Sequence, residues 1–202
     1  MGALSVIALR MTSRQDQNWW EIANIKVRLL VPVQSLEEWI TRIEQRDYSY
    51  QRFHNFIQVK LYGSLRISVF AARKGKLRQT VNLTGARTKL EVIRAQRKVS
   101  QFFGFSDVKL IVDSLTVKGG THLYGVGLVS LIPKIRRSGF LCSYNTQKIA
   151  GLHIQGCVDT NPSVTIIWYQ SGRYIVFGCQ SPSQCRQAVS LLEKWSRASS
   201  DP

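Results

Sequence analysis

One structural unit is predicted twice in this chain of 202 residues, and that repetition constrains the fold more than any single motif. The later copy reads as strand, turn, strand and helix. Its first strand, Val164 to Tyr169, is rich in β-branched and aromatic residues, and Gly172 in the turn can adopt a positive φ. A second strand, Tyr174 to Phe177, precedes a helix capped by Ser181. The apolar stripe of that helix contains Cys185, Ala188, Val189, Leu192 and Trp195.

The earlier copy has the same order of elements. A strand from Leu65 to Phe70 leads into a basic loop, and a return strand begins at Leu77. Gly85 follows the return strand at the place that Gly178 occupies in the later copy, and Thr88 then begins a helix. The apolar positions expected in this helix are Leu90, Ile93, Val99 and Phe103.

An additional strand and short helix are predicted before each copy. Before the first copy, Ile25, Val27 and Leu29 alternate with polar residues, which predicts the strand. Ser35 and Glu38 have the spacing of a capping box, which predicts the start of the helix. The sequence therefore predicts an α+β protein with two tandem repeats. The expected divisions are a loose arm at 1–20, a first repeat at 21–106, a second repeat at 107–196 and a tail at 197–202. Gly119-Gly120 is predicted to end the opening strand of the second repeat.

The charge of the chain predicts a polyanionic partner. With 28 Lys and Arg against 12 Asp and Glu, the net charge is +16. Nucleic acid is the first expectation and an anionic membrane surface the second, while a generally basic ribosomal or viral component is the alternative. No stretch is long and apolar enough to predict a membrane span, and the first residues are not typical of a signal peptide.

No site for catalysis or for a metal is predicted. The four cysteines, all in the second repeat, lack the short spacings of a zinc site, so they are expected to be reduced, buried thiols. His54, His122 and His153 have no partner arrangement typical of a catalytic site, and no phosphate-binding loop is present. We therefore expect no cofactor and no enzymatic activity.

Several strings resemble the core domain of the TATA-box-binding protein family over about residues 22 to 196. They include Asn24-Ile25, Arg52-Phe53 before Ile57, and Leu83-Thr84-Gly85-Ala86-Arg87 in the first copy. Ala150-Gly151-Leu152 and Ser171-Gly172-Arg173 match in the second copy. The resemblance implies a pseudo-symmetric saddle, in which a curved antiparallel sheet binds the minor groove of DNA and four helices cover the back. Proteins of that family insert phenylalanines between base steps and kink DNA by about 80°.

The resemblance also implies specific DNA contacts. Phe53 and Phe70 match the first pair of intercalating residues, and Ile149 and Tyr169 match the second. Asn24 and Thr84 match the central hydrogen-bonding pair, whose counterparts in the second copy are predicted to be Asp113 and Phe177. Strand alternation adds Lys26, Arg28 and Asn82 to the DNA-facing surface. The full set of expected DNA-binding residues is Asn24, Lys26, Arg28, Arg52, Phe53, Lys60, Phe70, Asn82, Thr84, Arg87, Leu115, Ile149, Tyr169, Arg173 and Ile175.

Two functions follow from the resemblance. The first is a nuclear transcription initiation factor that binds and bends TATA-like promoter DNA and nucleates assembly of the initiation complex. Its expected partners are general factors of the IIA and IIB types and RNA polymerase machinery. The loop from Tyr144 to Lys148 lacks the acidic residues of the family's IIB site, which argues against ordinary IIB docking.

The second function is an interaction platform that has lost TATA specificity, an alternative suggested by Asp113, Tyr169 and Phe177. A monomer is expected on DNA, because cationic sheet faces repel each other.

Overall fold

The computed structural model is an α+β fold with two compact units, built from strands that pair antiparallel. It describes residues 11–12, 19–72, 74–106, 108–121, 127–145, 149–159 and 161–197, without the side chains at 11, 12, 102, 145, 149 and 150. The first unit is Asn24–Asp113, and the second unit is Met1–Ala23 with Ser114–Pro202. Each unit has its own core, so each is described in turn.

The first unit is an antiparallel sheet with two helices. Strand β1 (Met11–Thr12) pairs with the start of β2 (Trp19–Pro32), and the part of β2 from Asn24 onward belongs to the first unit. The strands of this unit are ordered β3-β4-β5-β6-β2. The remaining elements are α1 (Leu36–Glu44), β3 (Tyr50–Arg52), β4 (Phe56–Tyr62), β5 (Leu65–Phe70), β6 (Arg78–Ala86) and α2 (Lys89–Phe103).

The second unit has the same element types in the same order. Its sheet is ordered β7-β11-β10-β9-β8. The elements are β7 (Lys109–Gly120), whose residues from Ser114 belong here, then α3 (Leu128–Arg137), β8 (Leu141–Asn145), β9 (Ile149–Gln155), β10 (Thr165–Tyr169), β11 (Arg173–Cys179) and α4 (Pro182–Arg197). In the described part of the chain, none of the helices has the length and hydrophobicity that crossing a membrane requires.

Side-chain capping begins both helices of the first unit. At α1, the Ser35 side chain accepts from the Glu38 N–H, and the Glu38 carboxylate accepts from the Ser35 N–H, as the sequence predicted. The hydrogen bond from the Ser35 backbone, followed by that from its side chain, holds the pKa of Glu38 below its ordinary value. Thr88 and Glu91 form the same capping box at α2. These caps satisfy backbone N–H groups that a helix leaves unpaired at its start.

The buried stripe of α2 differs from the predicted one. Val92 and Ala95 are buried with Val99, whereas Leu90 is exposed and Ile93 is half-buried. The predicted positions Val99 and Phe103 are buried, and the error concerns the first half of the helix, where Leu90 and Ile93 satisfy the three-residue spacing equally well. In α4, by contrast, the predicted residues Cys185, Ala188, Val189, Leu192 and Trp195 are all buried.

The opening strand of the second repeat includes Gly119-Gly120 and ends at Gly120, whereas the sequence predicted that these glycines would break it. Both glycines continue β7, where Gly119 pairs with Tyr174 and Gly120 with Arg173. The reason is a close approach of side chains: the Trp19 indole nitrogen would lie 2.9 Å from a Cβ at Gly120, and the Trp19 carbonyl oxygen accepts from the Tyr174 hydroxyl. Glycine is needed here because there is no room for a side chain.

A β-bulge interrupts the last strand of each unit at the two glycines noted in the sequence. In β6, the pairing partners shift between Ile25 and Val27, and Gly85 has φ +87°. In β11, the shift lies between Val176 and Cys179, and Gly178 has φ +83°. A positive φ at the bulge is the reason that glycine occupies both positions.

Candidate nucleic-acid interface

The sheet of the first unit has one buried and one open face. Its inward-pointing residues Ile25, Val27, Ile67, Val69, Val81 and Leu83 are all 0% exposed. The intervening residues are half-buried or exposed, as the strand alternation predicted. This surface, termed the open face of the first unit, contains Asn24, Lys26, Arg28, Gln58, Lys60, Arg66, Ser68, Phe70, Arg78, Thr80, Asn82 and Thr84.

A row of polar side chains crosses five strands of this open face. The residues are neighbours in the strand register, in the order Gln51, Gln58, Ser68, Asn82 and Arg28. The side-chain oxygen of Asn82 is shielded and has no hydrogen-bond partner among the described residues. The three amides of this row, Gln51, Gln58 and Asn82, offer both donors and acceptors to a ligand. An unsatisfied acceptor is costly unless a ligand or water satisfies it.

Two cations lie directly opposite each other beside this row. Lys60 on β4 pairs in register with Arg66 on β5, and both are exposed. They line a shallow cleft with Ser49, Tyr50, Gln51 and Gln58, and none of these six residues is acidic. Like charges opposite each other destabilise a sheet, so this arrangement favours an anionic ligand that bridges them.

Three phenylalanine rings stack at one end of the same face. Phe53 lies parallel to Phe56, with 4.2 Å between ring centroids and 6° between planes. Phe56 in turn stacks on Phe70, its register partner, at 5.3 Å. Sequence reasoning found Phe53 and Phe70 but missed Phe56. Its two-residue spacing from Gln58 could have identified it as a residue of this face.

Two predicted DNA-binding arginines form ion pairs in the structure. The Arg28 Nε lies 2.5 Å from a carboxylate oxygen of Asp113, and an Arg52 nitrogen lies 2.6 Å from one of Glu37. Such pairs contribute only about 0–1 kcal/mol to stability, but each carboxylate occupies an arginine that a phosphate would otherwise contact. Arg87 is exposed next to the bulge, where its own backbone N–H donates to Glu91.

Asn24 has a local structural contact that the sequence did not reveal. Its side-chain oxygen accepts the Gly85 N–H at 2.7 Å, which fixes the bulge. Thr84, the residue before that glycine, is half-buried on the open face. The amide nitrogen of Asn24 is therefore the part of this side chain suited to donate to a ligand, because its oxygen is engaged.

The second unit corrects two predicted assignments. Leu115 is only 1% exposed and belongs to the core, so the expectation that it contacts DNA is wrong. The registers explain the error: Leu115 pairs with Cys179 next to the bulge, as Ile25 pairs with Ala86 in the first unit. By this register the counterpart of Asn24 is Ser114, not Asp113. The small hydroxyl residue Ser114 thus takes the place at the centre of the second copy that was predicted for Asp113.

The open face of the second unit carries an apolar patch, Ile167, Ile175 and Phe177, among polar residues such as Thr165, His153 and Gln155. Ile167 pairs with Ile175 and Thr165 pairs with Phe177, whose ring is 38% exposed. Its charged residues include Arg173, which is exposed, and Lys118, which forms an ion pair with Glu21 at 2.8 Å. The other residues of this face include Tyr169, which is half-buried, and Leu141, which is exposed. The side chain of the predicted residue Ile149 lies outside the described residues.

The second unit has no counterpart of the ring stack among its described residues. The registers place Tyr169 in the position of Phe70, and Gly151 in the position of Phe56. A Cβ at Gly151 would lie 3.0 Å from Ile167 and 3.4 Å from the ring of Tyr169. The glycine leaves space for that ring, so the two open faces present different aromatic surfaces.

The four cysteines are free and buried, as predicted. Burial raises the pKa of the Cys157 thiol to about 11. A hydrogen bond with Cys185, together with burial, raises the pKa of Cys179 well above its ordinary value. The same hydrogen bond lowers the pKa of Cys185, so it is Cys157 and Cys179 whose raised pKa makes their thiols poor nucleophiles and poor metal ligands. Within the described ranges, no three His, Cys, Asp or Glu residues cluster as metal ligands.

Comparison with known proteins supports the architecture alone. Neither a protein-family model nor a curated protein matches the sequence. The solved structure of the TBP of Methanococcus jannaschii matches with a TM-score of 0.61 and 16% identity, over 89% of this chain and 98% of that chain. The fold is TBP-like.

Weaker similarities carry no argument about function. The heterotetrameric sarcosine oxidase from Corynebacterium sp. U-96 has a TM-score of 0.38 and 6% identity, over 92% of this chain and 85% of that one. The regulatory subunit of aspartate kinase from Thermus thermophilus has a TM-score of 0.27 and 11% identity, over 91% and 97%. At such identities, and equally for the TBP, similarity concerns the fold, and function must be argued from the site.

Proposed function

We propose that this protein binds double-stranded DNA in the minor groove through the open face of its sheet, bends it, and acts in transcription initiation at TATA-like promoters. The observation that carries this proposal is the open face of the first unit. There, exposed cations, a row of amides and a stack of aromatic rings share one surface. Minor-groove proteins combine these three features, because they must neutralise phosphates, contact base edges and wedge between base steps.

Each feature has a separate task in the proposed complex. Lys26, Lys60 and Arg66 attract the phosphates and release counterions, which makes binding sensitive to salt. The amides of Gln58 and Asn82 contact base edges, where their nitrogens can donate to the adenine N3 and thymine O2 acceptors of this groove. The phenylalanine stack provides an apolar wedge, whose insertion exchanges base stacking for contact with the rings.

The proposal includes the predicted architecture and partners. The two units are proposed to be copies of one repeat that together form a saddle. The shared element order and the bulges at Gly85 and Gly178 support this. In this role the protein is a monomer in the nucleus without enzymatic activity. Its partners are IIA-type factors and polymerase machinery. IIB-type docking through the loop after β8 is not part of the proposal.

A combined binding and bending assay tests the function. A duplex containing TATA and a G·C-rich duplex of equal length are compared, at low and at near-physiological salt. We expect tighter binding to the TATA duplex, with a bend of the order of 80° measured by fluorescence transfer between the duplex ends. Equal, salt-labile binding to both duplexes without a bend would refute the proposal.

The alternative is an interaction platform without TATA specificity. The apolar patch of Ile167, Ile175 and Phe177 on the open face of the second unit favours it, because Phe177 occupies there the position of the hydrogen-bonding Thr84. An apolar patch of this kind is typical of contacts between proteins as well as of groove floors. The bending assay distinguishes the two functions, since a protein platform would leave the duplex straight.

Replacement of Asp113 by asparagine should strengthen DNA binding for all sequences. The variant removes the partner of Arg28, which then contributes one further phosphate contact. We expect an affinity gain of about five-fold at physiological salt, and a salt dependence steeper by about 0.9 in logarithmic slope. Anisotropy titrations at several salt concentrations measure both quantities. The double variant Asp113→Asn/Arg28→Gln should lose the gain, and an equal gain in both variants would contradict this account of Arg28.

A further inference from the structure

The ring stack of the first unit has one face available to a ligand. The inner face of Phe53 is covered by Phe56, because the two rings are parallel and 4.2 Å apart. Even so, 42% of Phe53 remains exposed. One free ring face is sufficient to stack a single base. The geometry therefore suits a base that has left its stack and lies flat on Phe53.

The neighbouring residues suit the rest of a single nucleotide strand. Phe56, Gln58 and Lys60 alternate along β4 on the open face, so that a ring, an amide and a cation follow one another about 6.6 Å apart. Lys60 and its register partner Arg66 line the acid-free cleft described above. Stacking platforms beside cationic grooves are the common design of proteins that bind single strands.

We propose that the open face of the first unit binds single-stranded DNA, with one base stacked on Phe53 and backbone phosphates held by Lys60 and Arg66. The choice of DNA over RNA rests on the proposed function, which assigns duplex DNA to the same surface. The same residues would then retain a strand that has been unpaired next to a bend. Phe56 acts here as a positioning residue, because it holds the Phe53 ring parallel to the incoming base.

The experiment measures binding of a fluorescent twelve-residue thymidine oligonucleotide to the full chain by anisotropy. Phe53→Ala should weaken binding roughly 5- to 150-fold, the range for removal of one stacking ring. Phe53→Trp should retain affinity, since indole also stacks, whereas Phe53→Leu should lose it although it remains apolar. Lys60→Gln/Arg66→Gln should reduce the logarithmic salt slope by about 1.4, because each phosphate that is no longer neutralised lowers it by about 0.7.

Controls separate stacking from general hydrophobic or structural effects. Leu77, 93% exposed between β5 and β6, provides a matched variant, because Leu77→Ala removes an exposed apolar side chain without removing a ring. It should bind as the parent does, and thermal melting confirms that each variant is folded. Equal affinity of Phe53→Ala and the parent, or of Phe53→Leu and Phe53→Trp, would overturn the proposal.

Two further arms identify the ligand. Uridine oligoribonucleotide of equal length should bind more weakly, and equal or tighter binding would overturn the assignment to DNA. A duplex measured in parallel separates this inference from the proposed function. Binding of the duplex without the single strand refutes the inference alone, whereas binding of the single strand without a bent duplex refutes the proposed function alone.

Discussion

Replacement of Trp39 by alanine is expected to lower the free energy of unfolding by about 3–5 kcal/mol. Trp39 is 0% exposed, and its ring lies 3.9 Å from that of Phe103 and 5.8 Å from that of Phe105, measured between centroids. Its indole N–H donates to the buried side chain of Gln79 at 3.1 Å. The alanine variant loses this packing, leaves a cavity and removes a hydrogen bond to a buried acceptor. Urea denaturation followed by circular dichroism measures the destabilisation.

Two control variants separate the contributions of the ring and of its polar group. Trp39→Phe keeps an aromatic ring but removes the donor, while the Gln79 oxygen still accepts from the Gln34 N–H. A destabilisation of about 1–2 kcal/mol is expected for it. Leu90→Ala, at an exposed position of α2, should change stability by no more than about 0.5 kcal/mol. A Trp39→Ala effect similar to that of Leu90→Ala would contradict the assigned core of the first unit.

The same network connects the core to the proposed interface. Gln79 donates through its amide nitrogen to the Phe70 carbonyl oxygen at 2.6 Å, so Trp39, Gln79 and Phe70 form one chain of hydrogen-bonded residues. The ring of Phe70 is the innermost of the three stacked rings. Removal of the Trp39 side chain is therefore expected to loosen the stack as well as the core, and to weaken binding in variants that remain folded.

Local patterns in the sequence predicted much of this fold. The alternation in β2 and β5 identified their buried residues, because the side-chain period of a strand depends only on neighbouring residues. Ser35 with Glu38 predicted the start of α1 for the same reason, since a capping box spans only four residues. Gly85 and Gly178 were identified as matched positions of the two copies, and the structure adds that both have a positive φ at a bulge.

The errors concern features that depend on distant parts of the chain. Leu115 was assigned to the wrong face, because its register with Cys179 is set by a bulge on another strand. Gly119 and Gly120 were expected to break the strand but are its last two residues, because Trp19, about a hundred residues earlier in the chain, and Tyr174 leave no room for side chains there. The stack of Phe56 between Phe53 and Phe70 requires the pairing of β4 with β5, which spacing along one strand does not specify.

Removal of three cations from the open face of the first unit is expected to weaken duplex binding about 100-fold at physiological salt. The variant replaces Lys26, Lys60 and Arg66 by glutamine. All three residues are exposed, and among the described residues none of them forms an ion pair. Each is assigned one phosphate contact, so the logarithmic salt slope should become shallower by about 2.7. Titrations at several salt concentrations give the slope and the affinity together.

A second triple variant determines whether position or total charge causes the weakening. Arg186, Lys194 and Arg197 are exposed on α4, and their replacement by glutamine changes the net charge by the same amount. If the open face holds the phosphates, the α4 variant should retain the slope and most of the affinity, because none of its three residues belongs to that face. Equal effects in the two variants would mean that DNA is attracted by the net charge of +16 and not by this surface. The ring stack and the amide row would then need a ligand other than the DNA backbone to explain their arrangement.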